Sequence, residues 1–128
     1  MLLLLHHLTS EHAHLDLAER TLLVFADEYT KYDYMAASYG LSVLHSVNHP
    51  TEVAVVGETS ATQPLLAAAH DTYSPWRIVL PLDPTRDSKI IETRGFPAQN
   101  TPVAYVCRDQ VCSAPVTTAS DLIHLLDR

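Results

Sequence analysis

The chain has 128 residues, a formal charge of −7 and a pI near 5.5, and 47% of its residues are apolar. This length suits one ordinary domain, or a small domain with an appendage, and the apolar content is sufficient for a core. The acidic balance argues against a surface for nucleic acid or anionic membrane, because the eight Lys and Arg residues are scattered and form no basic patch. Two cysteines do not make a secreted disulfide framework.

The apolar opening, residues 1–5, predicts the end of a buried helix rather than a signal peptide or a membrane span. His6 and His7 interrupt the run, no basic segment precedes it, and no small-residue cleavage site follows it. We therefore expect a cytoplasmic protein without a membrane partner. The predicted helix, residues 2–8, has no capping residue before it, which suggests a chain that starts within a larger fold.

Two further helices are predicted before residue 50. The first, residues 11–31, has apolar residues three and four apart on one face, namely Leu15, Ala18, Leu22, Phe25 and Tyr29. The second, residues 33–47, has no charged residue between Tyr34 and Leu44 and carries two apolar stripes. A helix of this kind has to be covered on two sides, so we expect part of it to form an interaction surface.

From residue 51 the pattern changes to short strands and helices. Four consecutive apolar residues, 53–56, predict a strand that is buried on both faces. A helix over residues 61–72 and a strand over residues 76–80 then predict a parallel βαβ unit. The remaining predictions are a loop over 81–87, a short helix or strand over 89–92, a β-hairpin from 102–107 and 111–116, and a closing helix over 118–126.

The predicted fold class is therefore α/β, or α+β over the whole chain. We expect a helical hairpin in residues 1–50. Residues 51–128 are predicted to form a small α/β domain, in which the βαβ unit and the β-hairpin share one sheet with flanking helices.

Cys107 and Cys112 are the most distinctive local feature. If Asp109 and Gln110 form a two-residue hairpin loop, Cys107 faces Cys112 across the two strands. Residues in this register have Cα atoms about 4.5–5.5 Å apart, which permits a disulfide bond. Neither loop residue matches the preferred Asn-Gly turn, and a longer loop would misalign the pair.

Three interpretations of this cysteine pair remain open. The two thiols are simply reduced and half-buried, or they form a reversible disulfide that acts as a redox toggle, or they bind a metal ion. A metal ion needs three or four ligands, and only His70 or His124 is placed to add to the two cysteines. We expect no resident metal and no cofactor.

Two weaker candidate sites also have plain structural explanations. The backbone N–H groups of Gly57, Thr59 and Ser60, at a strand-to-helix turn, are placed to hold an anion. The glycine-rich nucleotide signature is incomplete there, and Glu58 would repel a phosphate, so an ordinary turn is the alternative. A run of histidines is predicted to face solvent or a neighbouring helix, namely His6, His7, His12 and His14.

Nearly the whole chain resembles the last portion of a known family, with residues 1–50 similar to the last helices of its barrel. The matching pattern is Ala104-Tyr-Val-Cys107, Cys112, Pro115-Val-Thr117 and an acidic residue before Leu122, and it follows the segments TEVAVVGE and WRIVLPL. It is similar to the C-terminal end of the YyaL-like, or spermatogenesis-associated, thioredoxin-domain-containing proteins. The resemblance implies a thioredoxin-like domain and an (α/α)6 barrel of the six-hairpin glycosidase type in full-length members. This chain has neither the Cys-x-x-Cys motif nor most of the barrel, so no catalytic residue is transferred to it.

The predicted function is a non-catalytic C-terminal interaction or structural module. Its partner is either a second copy of the chain or an upstream polypeptide that carries the thioredoxin and barrel parts. The alternative is a fragment of a redox-active or sugar-processing enzyme in which Cys107 and Cys112 carry out thiol–disulfide chemistry. An anion-binding α/β domain is a third, weaker hypothesis.

Overall fold

The computed structural model describes residues 1–71, 73–97, 99–109 and 111–127, without the side chain of Met35. The chain divides into two compact units, Met1–His49 and Pro50–Arg128. We call them the helical unit and the α/β unit, and each is described by itself. In the described part of the chain, no helix is both long enough and apolar enough to cross a membrane.

The helical unit contains three α-helices and one 3₁₀ helix in its described residues: α1 (Leu2–Thr9), α2 (His12–Phe25), the 3₁₀ helix (Tyr29–Met35) and α3 (Ala36–Val47). The prediction of an unbroken helix to residue 31 is wrong, because α2 already ends at Phe25. The segment that follows is rich in Tyr, Thr and Asp, which favour helices less than Ala or Leu. Asp33 also adopts a non-helical conformation, with φ 48° and ψ −127°, and this interrupts the segment.

Very little of the helical unit is buried. Among its described side chains, that of Ala18 is the only one in the buried class. Tyr39 of α3 contacts α2, since its hydroxyl donates a hydrogen bond of 3.3 Å to the Leu22 carbonyl and its ring stacks on Tyr29 with centroids 5.5 Å apart. Most apolar side chains of α3 remain exposed, so the helix is not covered on the two sides that its sequence predicts.

The α/β unit contains one mixed sheet in its described residues, with strand order β2-β1-β3-β4. Its elements in chain order are β1 (Thr51–Val56), α4 (Gln63–Asp71), β2 (Arg77–Leu82), α5 (Ser88–Thr93), β3 (Val103–Arg108), β4 (Val111–Cys112) and α6 (Ala119–Leu126). β1 is parallel to β2 and antiparallel to β3, and β3 is antiparallel to β4. The α/β fold class and the parallel βαβ unit are confirmed.

Several predicted boundaries change. β2 continues through Pro81, where we predicted a loop, because β2 is an edge strand and a proline there removes no hydrogen bond from the sheet interior. β4 ends at Cys112 rather than at residue 116, and only a single bridge joins Val116 to Ala104. The undecided segment 89–92 lies within the helix α5. Thr72, the predicted last residue of the helix after β1, lies outside the described residues.

The core lies on both faces of β1. Val53 and Val55 pack on one face with α4 and α6, where Leu122 is fully buried. Ala54 and Val56 pack on the other face in a second cluster, whose remaining buried members are Leu82, Ile91, Phe96, Val103, Tyr105 and Cys107. The prediction of a strand buried on both faces is confirmed.

Two neighbouring isoleucines of α5 test this arrangement. Ile91 is 5% exposed and belongs to the second core cluster, whereas Ile90 is 44% exposed. We expect Ile91→Ala to lower the free energy of unfolding by about 2–5 kcal/mol, because it leaves a cavity, and Ile90→Ala to change it by about 0.5 kcal/mol or less. Urea denaturation of both variants measures the difference. Equal losses would show that α5 does not cover the sheet in solution.

Candidate functional site

Cys107 and Cys112 are joined by a disulfide bond. The bond links β3 to β4 in the predicted register, in which the two cysteines face each other. Their Cα atoms are 3.9 Å apart, closer than the 4.5–5.5 Å we expected. Directly opposed residues approach most closely at non-hydrogen-bonded positions, where their Cα atoms are about 4.5 Å apart. Gln110, the second predicted loop residue, lies outside the described residues.

The two halves of this disulfide have different surroundings. Cys107 is 8% exposed and belongs to the second core cluster, whereas Cys112 lies on the edge strand and is exposed. Next to them, the Ser113 N–H donates to the Val106 carbonyl at 2.9 Å, and the Ser113 hydroxyl accepts from the Val106 N–H at 3.2 Å. These contacts hold the hairpin together independently of the disulfide.

An ion pair lies beside the buried half of the disulfide. Glu52 of β1 is the cross-strand neighbour of Cys107. Arg94, directly after α5, donates from one nitrogen to both carboxylate oxygens of Glu52, at 2.6 and 2.7 Å. Sequence reasoning missed this pair, because the two residues are 42 positions apart. The signal that was available is a charged residue at the start of a strand buried on both faces, which requires a partner.

The geometry of the cysteine pair does not support a metal site. Sulfurs joined in a disulfide are not thiolates, and metal ions are bound by thiolates. His6 has ring contacts with His7 and His12, with centroids 5.6 and 5.5 Å apart. Within the described residues, no group of three or more His, Cys, Asp or Glu side chains is arranged to hold a metal ion.

The turn proposed to bind an anion follows β1. Gly57 has a φ of 155°, and a Cβ there would lie 3.0 Å from the Cα of Pro102, so a close approach of two backbone segments requires glycine. The Gly57 N–H donates to the Leu82 carbonyl, and the Thr59 hydroxyl donates to the Asp83 carboxylate at 3.2 Å. Of the backbone N–H groups expected to hold an anion, that of Gly57 is therefore occupied. Ser60 is exposed, and anion binding at this turn stays a prediction.

Two carboxylates organise the loop after β2. Asp83 accepts hydrogen bonds from the Thr85 hydroxyl at 2.6 Å and from the Thr85 N–H at 2.9 Å, and these bonds hold the pKa of Asp83 below its ordinary value. Asp87 accepts from the Arg86 guanidinium and from the Asp83 N–H, and these bonds likewise lower the pKa of Asp87. The arrangement fixes the loop at the carboxyl ends of β1 and β2.

The helical unit has an apolar cavity of its own, of about 350 Å³. Four aromatic rings line it, those of Phe25, Tyr29, Tyr32 and Tyr39. Two hydroxyl groups in the lining are already engaged, since Thr21 donates to the Leu17 carbonyl and Ser42 to the Ser38 carbonyl. The cavity therefore offers mainly apolar surface to whatever covers it.

Comparison of the chain with protein-family models, with curated proteins and with solved structures gives no match. The resemblance to the YyaL-like thioredoxin-domain-containing family therefore stays a prediction.

The carboxylates after β2 lead to a prediction about pH. A carboxyl group whose pKa is lower in the folded state contributes stability that is complete above its unfolded value, near 4, and is lost as the pH falls through the folded value. We expect the stability of the α/β unit to fall as the pH drops below about 4, and we expect Asp83→Asn to flatten this dependence. Urea denaturation across this range measures it, with Glu92→Gln, an exposed carboxylate of α5, as the control. An Asp83→Asn profile as steep as that of the control would contradict the prediction.

Proposed function

We propose that this protein is a non-catalytic interaction module whose helical unit binds a second copy of the chain. The observation that carries the proposal is the distribution of exposed apolar side chains. Of the sixteen large apolar side chains that are exposed among the described residues, thirteen belong to the helical unit. The helical unit has by far the smaller buried core, so its apolar residues remain available for a partner.

The size of the exposed groups supports a binding role. Single exposed leucines are ordinary on protein surfaces, but contiguous apolar patches mark interaction sites. On α3, Leu41 is 50% exposed, Leu44 45% and Val47 69%. Their spacing of three residues places them along one side of the helix. A helix with this stripe gains free energy when a second apolar surface covers it.

The lack of charged residues on α3 favours a second copy of the chain as that partner. The twelve residues of α3, Ala36–Val47, include no Asp, Glu, Lys or Arg. Two α3 helices related by a two-fold axis therefore meet without bringing like charges together, although the chain as a whole is acidic. An upstream polypeptide with thioredoxin and barrel parts is the other partner that the family resemblance implies, and it stays a prediction.

Light scattering after size-exclusion chromatography tests the proposal. We expect a dimer at micromolar concentration. We expect Leu41→Glu to weaken the dimer at least about tenfold, since it removes a leucine that the dimer would bury and introduces a charge. Ile90→Glu, at a similarly exposed position in the α/β unit, should leave the dimer unchanged. A wild-type monomer at this concentration would refute the proposal.

A second candidate function rests on the disulfide. We propose that Cys107 and Cys112 form a reversible thiol–disulfide pair. Exposure of Cys112 gives an external thiol access to the bond. The bond closes a loop with a sequence separation of only 5, so the chain-entropy estimate of its contribution to stability is about 2 kcal/mol, and its loss would leave the sheet folded. The sugar-processing part of this alternative stays a prediction.

Thiol titration at defined ratios of reduced to oxidised glutathione tests this second function. We expect two thiols to appear together as the buffer becomes more reducing, with the far-ultraviolet circular dichroism unchanged. We also expect full re-oxidation when the ratio is reversed. A disulfide that opens only in denaturant, or thiols that never re-oxidise, would rule out the reversible pair.

A further inference from the structure

A row of side chains crosses one face of the sheet and contains the disulfide. Glu52 of β1 lies opposite Cys107 of β3, and Cys107 lies opposite Cys112 of β4. Directly opposed residues project on the same face, with Cβ atoms about 4.5–5.5 Å apart. The Glu52 side chain is therefore the cross-strand neighbour of the Cys107 side chain.

Arg94, which follows α5, adds a positive charge to this row by contacting Glu52. Ile91 of α5 is packed in the same cluster as Cys107. Arg94 and Glu52 are each 18% exposed, and one guanidinium nitrogen contacts both carboxylate oxygens. Salt screens a partly buried pair much less than a pair at the surface. The charges of this pair therefore act on the neighbouring sulfur.

We propose that the residues of this row have different roles in thiol–disulfide exchange, and this proposal rests on the reversible thiol–disulfide function. Cys112 is the sulfur that exchanges with external thiols and disulfides. Cys107 is the buried resolving sulfur. Glu52 and Arg94 are positioning residues that set how readily the Cys107 sulfur leaves.

The reduction balances as two exchange steps. The thiolate of an external monothiol, such as glutathione, attacks the Cys112 sulfur, the sulfur–sulfur bond breaks, and its electron pair stays on Cys107 as a thiolate. A second monothiol attacks the external sulfur of the mixed disulfide and releases Cys112. Two external thiols are thereby oxidised to one disulfide, and their two protons end on Cys107 and Cys112.

Accessibility selects the sulfur that is attacked. Cys112 is exposed on the edge strand, whereas Cys107 is 8% exposed. Because Cys107 is packed in the second core cluster, an attacking thiol has much less access to its sulfur. In the oxidising direction the same asymmetry makes Cys112 the nucleophile, and Cys107 then closes the protein disulfide.

Charge next to Cys107 determines how good a leaving group it is. A carboxylate beside a forming thiolate disfavours it, and a guanidinium favours it. With Glu52 and Arg94 both present, the two effects offset each other. Removing one charge therefore has the opposite consequence to removing the other.

The first experiment compares Cys107→Ser with Cys112→Ser. Each variant is incubated with oxidised glutathione under native conditions, and mass spectrometry follows the mixed disulfide. We expect Cys107→Ser, which retains the exposed sulfur, to be modified at least about tenfold faster than Cys112→Ser. Equal rates, or faster modification of Cys112→Ser, would overturn the assignment of the two sulfurs.

The second experiment measures the rate of disulfide reduction by glutathione in two charge variants. We expect Glu52→Gln to accelerate reduction about three- to tenfold and Arg94→Gln to slow it by a similar factor. A merely structural ion pair would make both variants looser and both reductions faster, so changes in the same direction would overturn the positioning role. Arg94→Lys keeps the charge and should restore most of the wild-type rate of reduction. If Arg94→Gln does not fold, Arg94→Lys tests the positioning role instead. Reduction of Arg94→Lys as fast as that of Glu52→Gln would then overturn that role.

Failure of this inference is distinguishable from failure of the function on which it rests. A wild-type protein that does not cycle between disulfide and dithiol refutes both. A wild-type protein that cycles, while Cys112→Ser is modified as fast as Cys107→Ser, refutes the inference alone.

Discussion

Burial of β1 on both faces is the constraint on which the α/β unit depends. The strand lies between β2 and β3, and its residues 53–56 are at most 2% exposed. The alternation of side chains across a strand sends Val53 and Val55 towards α4 and α6, and Ala54 and Val56 towards α5. One short apolar run therefore supplies both core clusters, and it fixes where every flanking helix has to pack. The pairing of β1 with β3 and of β3 with β4 also determines where the disulfide and the Glu52–Arg94 pair lie.

The helical unit has no element with this role. Its helices are amphipathic, yet the packing of α2 with α3 depends on a few aromatic contacts, such as the stacking of Tyr39 on Tyr29. An aromatic cavity remains between these helices. A short helical segment has too little interior to bury all of its apolar residues, because surface area falls more slowly than volume as a unit becomes smaller. One unit thus has a sheet core and the other has exposed apolar stripes, and this contrast is the physical basis of the proposed binding role of the helices.

Local patterns predicted the elements whose determinants are local. Four apolar residues in succession identified β1, and the spacing of the two cysteines predicted their opposition across the hairpin. Features that depend on distant parts of the chain were not predictable in this way. The contact of Arg94 with Glu52 requires α5 to lie over the sheet, and the continuation of β2 through Pro81 requires β2 to be an edge strand. The early end of α2 reflects a competition between helix propensity and an aromatic cluster, which a stripe pattern does not describe.

The two edges of the sheet also constrain how this protein can assemble. An edge strand presents unpaired backbone groups that can template pairing with another chain, and natural proteins block such edges with prolines or keep them short. Here β2 carries Pro81, and β4 has only two residues and is followed by a non-strand segment. Neither border of the sheet offers a long, regular ladder for a foreign strand, so strand addition and fibril growth are disfavoured at both of them. The dimer proposed above would therefore have to form through helical surfaces and not by addition of a strand to the sheet.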